Sequence, residues 1–308
     1  MISFHQFVEY MRKEQEKKLK GRLAFEVERV KENNGVLVTG LAGKKPEDKE
    51  GIMVYLDSYY DAYKEGVELE QLSEDIYDMF NTYEKPDFPL DELGDFEQVK
   101  DKIFYKLVNY DKNLEMLKEV PHVPYLDLAL TFHVLAGRDE TGQSICPVRQ
   151  KDRMTWGQDI GALYELAKEN TPKLFPVSLC SMGWFMENVL KESQEECERP
   201  ELDKFLSYKM DSPLYILSNQ SGIYGAAAVL YEDVLKNFAF MEECDVVLLP
   251  SSIHEFLLLP YKNITGPFDI DKTREMVEHI NRVDVPKTDI LSDNVYLYDR
   301  EKDKISIL

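Results

Sequence analysis

The spacing of apolar residues changes from helical to extended and back several times along this chain. Apolar residues recur three or four positions apart in 4–11, which predicts an opening helix. Between 24 and 44, apolar and charged residues alternate on both sides of the turn-forming stretch 33–35, which predicts a β-hairpin. Residues 51–57 have the pattern of a third strand, and apolar positions at helical spacing in 69–80 predict a further helix.

The last third of the chain has the most regular pattern. Short apolar runs bounded by turn residues predict strands at 213–219, 244–250, 254–261 and 294–308, the last of them a hairpin. Helical spacing predicts helices at 232–243 and 269–283, and the second of these places Met276, Val277, Ile280 and Val283 on one side. We expect the apolar run 246–249 to pair antiparallel with 256–259.

Strand pairs that alternate with single helices predict an α+β fold, in which antiparallel sheets built from hairpins carry helices packed on one face. The stretches 81–95 and 191–203 are charged and lack an apolar period, which is typical of linkers. We therefore expect three regions that can still pack as one unit. They are an N-terminal helix, hairpin and helices at 1–90, a middle α+β region at 96–190 and a C-terminal α+β region at 204–308.

The charge balance narrows the classes of partner. The chain has 58 acidic and 37 basic residues and a formal net charge of −21. A field of this sign repels phosphate, so we expect no nucleic-acid binding by direct phosphate contact. The acidity is compatible with a solvated surface, with a basic partner or with an acidic decoy that imitates nucleic acid.

Cysteine usage and hydropathy suggest the compartment. The four cysteines Cys146, Cys180, Cys197 and Cys244 are scattered and form no CxxC pair, which favours reduced thiols and a cytoplasmic protein. The opening residues lack the apolar core of a signal peptide, and no window reaches the length of a membrane span. Because no window is long enough to span a membrane, we expect no membrane partner. No histidine pair has metal-ligand spacing, so we expect no metal, and we also expect no cofactor.

The stretch 248–260, LLPSSIHEFLLLP, has the highest density of reactive side chains. Ser251 and Ser252 precede His254 and Glu255, which suggests a serine nucleophile with a histidine base. In an extended backbone, however, Ser252 and His254 share one face while Ser251 and Glu255 take the other, so a contiguous triad is awkward. A turn in which the serines bond backbone groups, or a loop that contacts a ligand, fits the same residues.

A second candidate is the stretch 218–229, SNQSGIYGAAAV. Gly222 and Gly225 could let the backbone approach a ligand, and Asn219 and Tyr224 stand beside them as binding candidates together with Ser251 and Glu255. No GxGxxG or GxxxxGK[ST] pattern is present. The small residues 225–228 equally fit close packing beneath a neighbour, and this stretch could lie beside 250–255 because both flank strands of one sheet.

Several phrases together resemble a family of uncharacterised proteins from clostridial and related Firmicutes bacteria. The phrases that carry this resemblance include LYELAKEN, SGIYGAAAVLYEDVL and PSSIHE, and the likeness spans about residues 24–308. A weaker likeness joins the LYELA helix and the VVLLPS strand to another uncharacterised Firmicutes family. The resemblance implies a bacterial cytosolic α+β protein and implies no activity.

Three functions remain compatible with the sequence. The first is a non-enzymatic binding or regulatory protein with a protein or peptide partner, since no strong catalytic or cofactor motif is present and sheet edges can accept a strand. The second is a hydrolase that uses Ser252 or Ser251 with His254. The third is the acidic decoy, which rests on net charge alone.

Overall fold

The computed structural model describes residues 1–45, 51–82, 93–139, 142–192, 214–264 and 267–308. Most of the predicted linkers 81–95 and 191–203, together with Cys197, lie outside the described residues. The chain divides into two compact units, Met1–Asp87 and Phe88–Leu308. The three-region organisation expected from the sequence stays a prediction.

The first unit combines three helices with a three-stranded antiparallel sheet. Its elements are α1 (Phe4–Lys18), β1 (Ala24–Lys31), β2 (Leu37–Lys44), β3 (Ile52–Tyr55), α2 (Leu56–Lys64) and α3 (Leu69–Thr82). The sheet order is β1-β2-β3, and Asn34 takes a positive φ of 59° in the β1–β2 turn. The apolar faces predicted from spacing form the core, in which Phe7, Met11 and Ile76 are fully buried.

The second unit contains two antiparallel sheets. Its first half has α4 (Phe96–Val99), β4 (Ile103–Asn109), α5 (Leu114–Leu117), β5 (His122–Tyr125), β6 (Leu128–Asp139), β7 (Gly142–Pro147), α6 (Gln150–Trp156) and α7 (Ile160–Leu174). The long strand β6 pairs with β4 on one side and with β5 and β7 on the other. These strands form a four-stranded sheet.

The second half of this unit builds a six-stranded sheet. Its elements are β8 (Val177–Ser181), α8 (Met182–Glu192), β9 (Tyr215–Asn219), a 3-10 helix (Gly225–Leu230), α9 (Val234–Glu242), β10 (Val246–Ser252), β11 (Glu255–Pro260), α10 (Ile270–Val283), β12 (Tyr296–Asp299) and β13 (Lys304–Ile307). The strand order is β13-β12-β10-β11-β9-β8. The prediction of an α+β fold with antiparallel sheets is confirmed. The apolar run 223–231 predicts a second strand or the run into a helix, but the stretch contains the 3-10 turns instead.

One apolar core lies between the two sheets of the second unit. Alternate residues of β4 and β6 face alternate residues of β10 and β11 across this core, among them Tyr105, Phe132, Leu248 and Leu258. Alternation places the other half of each strand on the opposite face of its sheet. This arrangement explains why the β10 sequence is continuously apolar, because both of its faces are covered.

The pairing of β10 with β11 confirms the prediction for the stretch that joins them. Val247 lies opposite Leu259 and Leu248 lies opposite Leu258 in an antiparallel register. Leu258 is fully buried, whereas Leu257 faces the other side of the sheet and is half-buried. Ser252 pairs with Glu255, so a two-residue turn carries His254 at the rim of the sheet.

The apolar side of α10 lies mostly in solvent. Of the four apolar residues that helical spacing places on one side, only Val277 is buried, while Met276, Ile280 and Val283 are exposed. Asn281 is buried in their place. The helix therefore packs on β10 through a mixed face and turns its apolar stripe outward.

Candidate functional site

The two stretches with candidate chemistry meet at one end of the six-stranded sheet. Ser218, near the end of β9, donates its hydroxyl hydrogen bond to the backbone carbonyl of His254 at 2.8 Å. The backbone N–H of Ala226 donates to the carbonyl of Ile253 at 3.3 Å. Both stretches therefore flank strands of one sheet and lie side by side, as the sequence predicts.

Asn219 organises the turn that follows β9. Its amide nitrogen donates to the carbonyl of Ile223 at 2.8 Å, and its amide oxygen accepts from the backbone N–H of Ser221 at 3.0 Å and the hydroxyl of Ser221 at 2.8 Å. Gly222 takes a φ of +68°, a left-handed conformation that favours glycine. Because the buried Asn219 amide is used within the turn, these two residues shape the loop that presents Tyr224.

Gly225 permits the close contact between this loop and the β10–β11 turn. A methyl group at this position would lie 2.1 Å from the Ser218 hydroxyl oxygen, 2.5 Å from the carbonyl oxygen of His254 and 2.6 Å from the backbone nitrogen of Asn219. Two of these atoms belong to the backbone, and the third is the Ser218 hydroxyl oxygen, whose position is fixed by its hydrogen bond to the His254 carbonyl. Gly225 is therefore explained by close packing against its neighbours, one of the two interpretations that the small residues 225–228 allow.

Tyr224 links the loop to the imidazole of His254. Tyr224 adopts a positive φ of 55°, which aims its backbone N–H at His254 Nδ1, 3.1 Å away. The two rings stack with centroids 5.8 Å apart and planes at 19°. The ammonium of Lys106 on β4 lies 4.1 Å from the centroid of the Tyr224 ring, within the range of a cation–π contact.

Asp289 completes the cluster from the far end of the chain. Its carboxylate lies 3.8 Å from His254 Nε2, its second oxygen accepts from the Thr288 hydroxyl at 3.0 Å, and its backbone carbonyl accepts from the N–H of Ile253 at 2.8 Å. Burial by itself raises the pKa of the Asp289 carboxyl, but the adjacent His254 imidazole and the hydrogen bond from Thr288 outweigh it and lower that pKa.

The two serines at the end of β10 form hydrogen bonds with other partners. The Ser251 hydroxyl donates to Glu255 Oε1 at 3.0 Å, and Ser252 Oγ accepts the backbone N–H of His254 at 3.0 Å. Within the described residues, neither hydroxyl is bonded to the imidazole. Since Nδ1 accepts a backbone N–H and Nε2 faces a carboxylate, His254 connects three chain segments. Ser–His–acid geometry with a serine on the imidazole is not assembled here.

Lys106 and Asp289 are the members of this cluster that sequence reasoning missed. They stand 118 and 35 positions from Tyr224 and His254 respectively, in stretches without a catalytic or binding motif. Sequence spacing carries no signal for such a contact, because separate strands and a loop bring the residues together. Only Tyr224 and His254 were identifiable in advance, through the reactive or small residues around them.

The buried His133 forms a separate polar contact on β6. Its Nε2 lies 3.0 Å from the Thr131 hydroxyl oxygen, and the ring packs against Phe104. Burial, with a smaller contribution from the charge of Lys106, holds the pKa of His133 well below its ordinary value. His133 is therefore the satisfied core residue that its apolar strand predicts. Among the described residues, no group of three or more His, Cys, Asp or Glu side chains is arranged to hold a metal ion.

The strand β8 forms one edge of the six-stranded sheet. The backbone N–H and C=O groups of the even-numbered residues of β8 point towards β9. This follows because the Pro176 carbonyl accepts from the Gln220 N–H and the Met182 N–H donates to the Leu214 carbonyl. In an antiparallel ladder the alternate residues then direct both backbone groups away from that partner. The N–H and C=O groups of Val177 and Leu179 and the N–H of Ser181 thus face outward, while Ser181 caps α8. In the described part of the chain β8 pairs with β9 alone.

Comparison with known proteins places nearly the whole chain in one family. A family model described as a family of unknown function (DUF5688) matches residues 4–300. No curated protein and no solved structure matches the chain. None of the helices in the described segments has both the length and the apolarity needed to cross a membrane.

Proposed function

The chain belongs to this family of unknown function, and we propose that it is a non-enzymatic binding or regulatory protein whose partner is a protein or peptide. The partner that we propose contributes an extended, basic segment that pairs with the outer edge of β8. The outward backbone groups of Val177, Leu179 and Ser181 are the observation that carries this proposal. Strand addition of this kind draws its affinity from main-chain hydrogen bonds.

The composition of β8 supports this choice of edge. Exposed edge strands are commonly protected from pairing by charged side chains, by proline or by a covering element. The β1 edge carries four charged residues in AFEVERVK, and the short β13 begins with Lys304. The β4 edge is covered by α7, because the Thr171 hydroxyl on α7 accepts a hydrogen bond from the backbone N–H of Tyr105 at 3.2 Å. The five residues of β8, VSLCS, include neither charge nor proline.

The charge of the chain supports a basic partner. The net charge of −21 attracts cationic segments over distances of about a Debye length, roughly 8–10 Å at physiological salt. Next to the edge, the Glu255 carboxylate acts on the Cys180 thiol, whose pKa is raised by burial and then by that carboxylate. A lysine or arginine on the added strand would lie near this acidic group.

The engagement of His254 supports a non-enzymatic role. Both ring nitrogens already face protein groups, so the imidazole has no lone pair directed at a serine hydroxyl. A cytosolic location in a clostridial bacterium belongs to the same proposal. It is supported by the resemblance of the sequence phrases and by Cys180 and Cys244, which form no disulfide within the described residues.

The experiment selects binders from a displayed library of random decapeptides and measures the Kd of synthetic winners by fluorescence polarisation. We expect the winners to alternate in hydropathy and to carry Lys or Arg. Val177→Pro removes an outward N–H and should weaken binding about tenfold, because one partner group of the peptide is left unpaired.

A matched control comes from the opposite edge of the same sheet. Leu308 N–H donates to the Val295 carbonyl, so Ile307 of β13 also directs its N–H outward. Val177 and Ile307 are each 39% exposed. Ile307→Pro should leave the Kd unchanged. Equal losses in both proline variants, or a library that yields no binder, would rule out the β8 site.

The hydrolase hypothesis is a second candidate because Asp289 supplies a carboxylate beside His254. For it to hold, the imidazole must leave the Tyr224 N–H and turn towards Ser252 or Ser251 when substrate binds. A fluorophosphonate probe tests this directly. Labelling of the wild type that is lost in Ser252→Ala or Ser251→Ala would favour the hydrolase over the binding protein.

A further inference from the structure

The outer face of α10 carries a continuous apolar stripe. Met276, Ile280 and Val283 are 47%, 40% and 62% exposed. Their spacing of four and three residues places them in one row along the helix. An apolar row of this kind ordinarily faces the core, and contiguous apolar surface left in solvent marks an interaction site.

Polar anchors on the inner face fix this orientation. Asn281 donates from its amide to the carbonyl of Ser292 at 2.9 Å and to Asp293 Oδ1 at 2.7 Å. Seven residues earlier on the helix, the Arg274 guanidinium donates to the carbonyl of Leu308 at 2.6 Å. The helix cannot roll its apolar stripe inward without breaking these bonds and burying the polar groups unpaired. The stripe is therefore held outward by the fold.

The charges beside the stripe are self-complementary. Glu275 and Arg282 are seven residues apart, so they lie on the same flank of the stripe with opposite sign. When two identical helices pair antiparallel about a two-fold axis, the same flank of each helix meets that of the other. With Met276 opposite Val283, Glu275 of one copy and Arg282 of the other are offset by about 3 Å along the axis, and the contact occurs twice.

We propose that α10 is the interface of a homodimer, in which a second copy of this chain packs its α10 antiparallel against the stripe. The apolar row is buried at the centre, and two Glu275–Arg282 pairs lie along one edge of the interface. In a parallel pair opposite flanks would meet, and this complementarity would be lost. The proposal goes beyond the β8 site and does not depend on it.

Sedimentation of the full chain over a concentration series tests the dimer. We expect a reversible monomer–dimer equilibrium and at least a 100-fold weaker association in Ile280→Asp, because the variant buries an unpaired charge. Since Ile280 is exposed in the monomer, the variant should retain its circular dichroism and urea midpoint. A wild type that stays monomeric at every concentration overturns the proposal, as does an Ile280→Asp variant that dimerises normally.

Charge reversal tests the antiparallel register. Glu275→Arg and Arg282→Glu should each weaken self-association about tenfold, since both place like charges at two contacts. An equimolar mixture of the two variants should associate about as tightly as the wild type, because every contact then joins opposite charges. A mixture no tighter than either variant alone overturns the antiparallel pairing.

Glu301→Arg supplies the matched control for net charge. It makes the same charge change as Glu275→Arg but lies in the β12–β13 turn. Both variants reduce the self-repulsion of an acidic chain, yet only Glu275→Arg should weaken the dimer. Equal effects of the two variants would assign the change to net charge and overturn the specific pairing.

Discussion

Replacement of Gly225 by alanine tests whether the loop and the β10–β11 turn are held together by close backbone contact. The new methyl carbon would lie 2.1 Å from Ser218 Oγ, where ordinary contact begins at 3.4 Å. Relief of this overlap requires the hydroxyl that bonds the His254 carbonyl, or the backbone itself, to move. Overpacking strain of about 1–3 kcal/mol and a lost hydrogen bond of about 1 kcal/mol oppose a gain of about 0.4–1 kcal/mol from the stiffer unfolded chain.

We therefore expect Gly225→Ala to lower the free energy of unfolding by about 2–3 kcal/mol. Gly222→Ala is the matched comparison, because Gly222 has a φ of +68° and open space around its missing Cβ. Its cost is conformational only and should be about 1 kcal/mol. Urea melts followed by tryptophan fluorescence report on the second unit, which contains both Trp156 and Trp184. A Gly225→Ala variant as stable as Gly222→Ala would refute the close-packing argument.

Three further predictions concern the same unit. Leu258→Ala should lower the free energy of unfolding by about 2–5 kcal/mol and Leu257→Ala by less than half as much in urea melts, since only Leu258 is fully buried. His254→Ala should lower the free energy of unfolding by about 1–2 kcal/mol, more than a substitution at a rim position otherwise would. A double-mutant cycle with Asp289→Asn should give a coupling energy of about 0.5–1 kcal/mol, and additive losses of stability would contradict the contact between the two side chains. The buried, neutral His133 should make stability fall as the pH drops below about 6.5, by up to about 1.4 kcal/mol per pH unit, because the unfolded state then binds a proton that the folded state does not. His133→Gln should remove that part of the slope, and an unchanged slope would contradict it.

Local patterns were sufficient wherever a structure depends on neighbours in sequence. Two apolar runs separated by Pro250 and two serines predicted the antiparallel pairing of β10 with β11, and the structure shows this pairing. Side-chain alternation also placed Glu255 away from His254, and in the structure Glu255 accepts a hydrogen bond from Ser251. These predictions succeed because strand geometry fixes which side chains share a face without reference to the rest of the chain.

Contacts between distant segments were decided by the tertiary structure alone. Helical spacing showed that Met276, Ile280 and Val283 share one side of α10, but the direction of that side depends on the bonds of Asn281 to a loop eleven or twelve residues away. In the same way, no local pattern brings Asp289 to His254. Periodicity specifies relations within an element, whereas the orientation of the element follows from the partners that satisfy its buried polar groups, and those partners are defined only once the chain has folded.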